Sequence, residues 1–318
     1  MGSVGDAATM SPSADMKSEM PTTLSAARLP ESSAIIKIAD RFKRYVPETI
    51  KNALSNCGGV NRRPERFAGR LLDQDLDDEQ YVAILHSLIF PGGIRKTTNR
   101  ARNLEILREA ANRNLLPRKS RLRVLDVGAG AGLDAMSTFA FLRQYYEVEK
   151  YALGDLFTAV LYDEGRGLVF DEDGNLLQVL CGRKFVSIHF SYNYGFQRVT
   201  NLFKRIHAKR LSKRYLLDPL TVVRIPLVHR ELDVTSSASP FRLERMSAFE
   251  LLKEKFDLII CMHLLVRRYF SEDRIAVANE NLSQGLNAGG TLISGTAETV
   301  TIVQRVGAES FTKGTLRR

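Results

Sequence analysis

The stretch RLRVLDVGAGAGLDAMSTFAFLRQYY, residues 121–146, constrains this chain more than any other. An apolar run with one acid ends at Gly128, glycines recur at Gly130 and Gly132, and an apolar segment without turn formers follows. That order predicts a buried strand, a tight turn and a helix. Alternate glycines let the backbone take left-handed conformations or approach a ligand without a side chain in the way.

Similar units recur along the chain. EVEKYALGD (147–155) reads as a second strand with an acid at its end. VVRIPLVHRELDV (222–234), FDLIIC (256–261) and GGTLISGT (289–296) read as three more, with helix-like EDRIAVANENLSQGL between the last two. Alternating strands and helices predict an α/β fold with a doubly wound, mostly parallel Rossmann-like sheet. ETVTIVQRV and SFTKGTLRR, at the end of the sequence, suit a short antiparallel pair.

Upstream the spacing is helical in AIIKIADRFKRYV, DDEQYVAILHSLIF and NLEILREAANRNLL, with FPGG (90–93) breaking the last two apart. Asp77 and Asp78 stand where a helix N-terminus favours acids. The expected organisation is a disordered tail over 1–33, a helical cap over 34–118, and a main domain over 119–318. Residues 157–221 are expected as a long insertion after the second strand. It would hold a hairpin, GLVFDEDGNLLQV, turning at Asp173–Gly174. A helix over 198–214 would follow, carrying Arg198, Lys204, Arg205, Lys209, Arg210, Lys213 and Arg214.

Composition narrows the classes. No run approaches the roughly 18 apolar residues of a membrane helix, and the Ser-, Ala- and Pro-rich first residues lack the apolar core of a secretory signal. A cytoplasmic protein without a transmembrane segment is expected. Cys57, Cys181 and Cys261 and the five histidines are scattered, so neither a disulfide framework nor a metal site is expected. The formal charge of +10 fits an anionic partner or a soluble basic surface. The basic helix 198–214 suits nucleic acid, a membrane surface or plain solvation, although no RNA-binding signature accompanies it.

The glycine loop itself discriminates among ligands. A phosphate-gripping loop would close with Lys and Ser or Thr, but this one closes with Gly132-Leu133-Asp134. The dinucleotide fingerprint needs glycine at 133, and an acid at 134 opposes a pyrophosphate at the helix N-terminus. The pattern Asp126-x-Gly128-x-Gly130-x-Gly132 resembles the first motif of the class I S-adenosylmethionine-dependent methyltransferases. A cationic ligand tolerates Asp126 where a pyrophosphate would not.

The resemblance implies S-adenosyl-L-methionine as cofactor and a role for each landmark that follows. Asp155 would hold the ribose hydroxyls and Asp233, taken as ending the third strand, the adenine amino group. Met262, as a further cofactor-binding residue, and His263 would sit at the mouth of the fourth strand, and GLNAGGTLISG (285–295) would supply the fifth. His263 is the candidate general base. The activity implied is methyl transfer to an O or N nucleophile of a small-molecule acceptor, with RNA or protein, reached through the basic insertion, as the alternative. No Asn/Asp-Pro-Pro-Tyr stretch and no Pro-Cys nucleophile follows the fourth strand, which argues against amino groups of adenine or glutamine and against cytosine C5. A nicotinamide-dependent oxidoreductase, a methyltransferase-like binding protein without activity and a basic nucleic-acid-binding scaffold remain as other classes.

Overall fold

A computed structural model describes residues 60–61, 64–96, 99–181, 184–189, 211, 213–267, 269–296, 298–307 and 310–317. The chain divides into two units, and all of these residues belong to the second, Asn56–Arg318. The expected tail and the helix in AIIKIADRFKRYV lie outside the described residues. So does the basic helix 198–214, apart from Leu211, Lys213 and Arg214.

The expected doubly wound sheet is present. Its strands are β2 (Arg121–Val127), β3 (Glu147–Asp155), β9 (Phe241–Arg245), β10 (Phe256–Met262), β11 (Leu286–Gly295), β12 (Thr299–Arg305) and β13 (Phe311–Arg317). They lie side by side as β9-β3-β2-β10-β11-β12-β13. The first five are parallel, and β12 and β13 add the antiparallel pair. Helices α2 (Leu104–Asn112), α3 (Leu133–Leu142) and α4 (Glu272–Gln284) cover it.

Both faces are buried, which is why β2 and β10 read as near-continuous apolar runs rather than alternating ones. Leu122, Val124, Leu153, Leu258 and Ile260 pack with Ile106 and Leu107 of α2 and Phe141 and Leu142 of α3. Leu125, Val127, Ile259 and Cys261 face the other way, onto Ala278 and Leu282 of α4. Burying one such aliphatic side chain contributes about 1.5–3 kcal/mol. An exposed helical pair such as Arg113–Glu109 adds only a few tenths. The two apolar layers therefore hold the sheet.

A second, antiparallel sheet takes five of its strands from between β3 and β9 in sequence and one from upstream of β2. It contains β1 (Val60–Asn61), β4 (Ala159–Asp163), β5 (Leu168–Asp171), β6 (Leu176–Cys181), β7 (Lys184–Ser187) and β8 (Val222–Pro226), ordered β1-β7-β6-β5-β4-β8. Helix α1 (Asp78–Ser87) buries Ile84 and Leu85 against Val160, Val169, Phe185 and Ile225 of this sheet. Asp77 caps α1 reciprocally with Gln80: each backbone N–H donates to the other's side chain. The expected hairpin is β5–β6. Asp171 closes its turn by accepting from the backbone N–H groups of Asp173 and Asn175. Among the described residues no helix is long and apolar enough to cross a membrane.

One strand assignment is corrected. VVRIP (222–226) does not continue into the parallel sheet but pairs antiparallel with β4 at an edge. Pro226 has no N–H to give a ladder, and only Ile225 in the strand is buried, as befits an edge. The third parallel strand is FRLER (241–245), paired with Tyr151–Asp155. The excursion from the parallel sheet therefore runs from the end of β3 to Pro240, well past residue 221.

Candidate functional site at the end of the central strands

The C-terminal ends of β2 and β3 meet under the glycine loop. Gly128, Gly130 and Gly132 have φ of 75°, 62° and 75°, a region that costs other L-residues about 1–2 kcal/mol each. The loop curls over β3 because the N–H groups of Gly128 and Ala129 both donate to the Gly154 carbonyl, at 2.7 and 3.3 Å. Gly132 is doubly constrained, since a Cβ there would fall 2.3 Å from a methyl of Leu232.

Asp155 ends β3 against this loop. Its Oδ2 accepts from the Gly130 N–H at 3.0 Å and its Oδ1 from the Phe157 N–H at 3.1 Å. Lys96 completes the arrangement. Its ammonium lies 2.9 Å from Asp155 Oδ2 and 3.3 Å from the Gly130 carbonyl, and the residue is only 4% exposed. Lys96 arrives on the loop between α1 and α2, where Phe90 stacks on Phe157 with ring centroids 4.1 Å apart.

Asp126 and Asp134 lie beneath. Asp126 is buried on the α2–α3 face of β2, where burial, then the nearby carboxylate of Asp134, push its carboxyl up to about 8. The Tyr151 hydroxyl donates to it at 3.5 Å and is itself raised by burial. Asp134 sits in the first turn of α3 and accepts from the Asn103 N–H at 3.1 Å. Burial raises it as well. An acid thus stands in the helix turn where a pyrophosphate would dock.

At the mouth of β10, His263 has φ of 62° and donates its N–H to the Gly295 carbonyl at 2.6 Å. A non-glycine residue held left-handed at a strand end is a common mark of a functional position. Its imidazole is half-buried. Burial and the positive charge of Arg102 lower its pKa below the usual histidine value, against a smaller opposing effect of Glu298. Met262 is buried in the core layer facing α2 and α3. The side chain of Leu264 lies over Gly128, 3.2 Å from where a Cβ would be.

Asp233 is not brought to this site. It is exposed, in the loop before β9, and its Oδ1 accepts from the N–H groups of Thr235 and Ser236 and from the Thr235 hydroxyl. The sequence expectation rested on 222–234 being the third strand. The end of the true third strand is followed by Met246, whose sulfur would lie 2.3 Å from a Cβ on Gly154. Sequence reasoning also missed Lys96. The FPGG turn just before it was visible, but nothing local points to its partner.

A further cluster lies on α1 and the segment before β9. Asp78, His229 and Glu231 place possible ligand atoms within 4.8 Å of one another. The cation among them is Arg100, with Nε 2.7 Å from Asp78 and Nη2 3.2 Å from Glu231.

No family model matches the chain, and no curated protein matches it. The chain is similar to several solved structures at low identity. One is an S-adenosylmethionine-dependent methyltransferase from Clostridium acetobutylicum, with 13% identity, 68% of this chain and 71% of that chain covered, and a TM-score of 0.28. A second is CalS10, an amino pentose methyltransferase from Micromonospora echinaspora, with 12% identity, coverage of 69% and 75%, and a TM-score of 0.29. A third is the magnesium protoporphyrin IX methyltransferase from Synechocystis, with 12% identity, coverage of 72% and 68%, and a TM-score of 0.27. What the site can do is set by its own residues.

Those residues offer a left-handed glycine loop, an acceptor carboxylate at the end of β3, a buried acid that a cation would ionise, and an imidazole kept neutral by burial. The set suits a ligand carrying a diol and a positive charge. It does not suit a pyrophosphate.

Proposed function

We propose that the chain is an S-adenosylmethionine-dependent methyltransferase acting on an O or N nucleophile of a small-molecule acceptor. The observation that carries this is the joining of the loop Gly128–Gly132 to Asp155 through the Gly130 N–H, with Asp134 closing the loop against phosphate. Asp155 takes the ribose hydroxyls, because one carboxylate can accept from both members of a vicinal diol. Asp126 lies behind the loop as the counter-charge for a cation. Bound there, S-adenosylmethionine supplies a methyl group activated on a sulfonium.

The protein's own tasks are then alignment and exclusion of water. His263, neutral at physiological pH, takes the acceptor's proton at the mouth of β10. The helical segment before β2 and the antiparallel sheet after β3 would close over the acceptor, and Phe90 and Phe157 of these elements pack in one cluster with Ala131 of the loop.

Calorimetric titration with S-adenosylmethionine and S-adenosylhomocysteine tests the reading, repeated on Gly130→Val and Asp155→Asn. Micromolar binding that both substitutions weaken supports it, and no heat from folded protein overturns it. A second reading, a binding protein without turnover, is favoured by the ion pair that already occupies Asp155. Binding without methyl transfer to any acceptor nucleophile would distinguish it.

A further inference from the structure

We infer that Lys96 is a latch on the donor site: its ammonium holds the place of the nucleoside diol on Asp155 and must withdraw before the donor binds. The inference rests on the reading of Asp155 as the ribose acid. It begins from a count of hydrogen bonds. A carboxylate offers about four lone-pair positions. Oδ2 already receives the Gly130 N–H and the Lys96 ammonium, and Oδ1 receives the Phe157 N–H. One position is left, whereas a vicinal diol needs two.

Of the three present donors, two are backbone groups fixed by the fold. Gly130 belongs to the loop tied to the Gly154 carbonyl, and Phe157 is held by its stack on Phe90. Only Lys96 reaches Asp155 on a flexible four-carbon stem. The group that yields to the diol is therefore Lys96. Its approach is organised: the Ile89–Arg95 bridge pins the loop that carries it, and Gly92 and Gly93 turn that loop at φ of 79° and 77°.

The latch also balances charge before the donor binds. Burial and Asp134 push Asp126 up and Asp155 adds to that push, so Asp155 without a cation would add to the cost of this buried acid. Lys96 supplies the positive charge until a ligand arrives. The apparent affinity for a nucleoside is then reduced by the fraction of molecules in which the latch is closed.

Two measurements on the full chain test this. The first is calorimetry of S-adenosylhomocysteine with wild type, Lys96→Met and Lys96→Gln; the second is acetylation of wild-type lysines, read by peptide mass spectrometry, with and without saturating S-adenosylhomocysteine. The expected results are binding tightened about tenfold or more in the variants, and a Lys96 that is protected alone but labelled in the complex. If wild type binds while the variants bind equally or more weakly, or if Lys96 stays protected at saturation, the latch is wrong and the donor site stands. If neither wild type nor variants bind, the donor-site reading falls and the latch with it. Should both variants fail to fold, the labelling of the wild type decides alone.

Discussion

The hydroxyl of Tyr151 lies 3.5 Å from Oδ2 of Asp126, and both groups are sealed beneath the glycine loop. Burial pushes the acid to about 8, so at neutral pH it is mostly the neutral carboxyl. A cation bound against it must draw the proton off. We therefore expect S-adenosylmethionine to release close to one proton per site at pH 7 and neutral S-adenosylhomocysteine to release fewer. Affinity for the cation rises with pH up to about 8 and then levels off. Calorimetry in two buffers of different ionisation heat reads the proton count directly; equal counts for the two ligands would remove Asp126 as the counter-charge.

The same acid sets a stability trend. Its folded value of about 8 stands above the unfolded value of about 3.9. Between those limits the folded state holds a proton that the unfolded state has lost. Stability from this site therefore falls as pH rises from about 4 to about 8, and the penalty is complete above that. Asp126→Asn removes it, so the variant should unfold at a higher temperature than wild type at about pH 8.5 and show little difference at about pH 4. Thermal melts at the two pH values check the sign.

How much of this was readable beforehand depends on the range of the interactions concerned. The β2–α3 turn and the β10–α4–β11 unit were plain because their apolar patterns are local and both faces are buried. The third strand was misread for the opposite reason. VVRIP is the more apolar segment, yet it lies at an edge, while FRLER carries Arg242, Glu244 and Arg245 and nevertheless pairs with β3. Which of the two joins the sheet is decided by long-range pairing, not by local composition. Asp155 could be placed because strand ends are visible in sequence. Lys96 could not, since its partner is distant in sequence and a lysine after a turn ordinarily belongs to solvent. The left-handed backbone of His263 was equally hidden, because that conformation is usually marked by Gly or Asn.

His263 separates strain from chemistry. Its left-handed backbone costs about 1–2 kcal/mol, close to the entropic cost of placing glycine there. His263→Gly should thus stay within about 1 kcal/mol of wild-type stability, while His263→Val should lose about 2 kcal/mol or more, because a β-branched residue tolerates that φ poorly. Both should lose methyl transfer by about 10²–10⁴-fold if the imidazole is the base. The wild-type rate should hold down to below about pH 6.5, since burial and Arg102 lower the pKa. Denaturant melts and a pH–rate profile measure the two effects independently. Full activity in His263→Gly would leave the residue a backbone role only.

Asp257 provides the contrasting case at the opposite end of the sheet. It opens β10 and is buried, with Oδ1 accepting from Lys119 at 2.6 Å and Asn287 at 2.9 Å and Oδ2 from the Arg123 N–H at 3.0 Å. Lys119 is 41% exposed, so the ion pair itself contributes little. The larger loss in Asp257→Ala comes from leaving the Arg123 N–H and the Asn287 amide without their acceptor, about 2 kcal/mol in all. Burial acts to raise its pKa, but the hydrogen bonds from Lys119, Arg123 and Asn287 outweigh it and hold the carboxyl below its ordinary value. Its contribution is therefore present above about pH 4 and disappears as pH falls through the depressed value. The stability gap between wild type and Asp257→Ala should accordingly narrow in acid. Because the glycine loop lies at the other end of the strands, the affinity for S-adenosylhomocysteine should not change. Urea unfolding across pH, with calorimetry at neutral pH, measures both. A variant that loses ligand binding while keeping its stability would show that the two ends of the sheet are coupled in a way this packing does not provide.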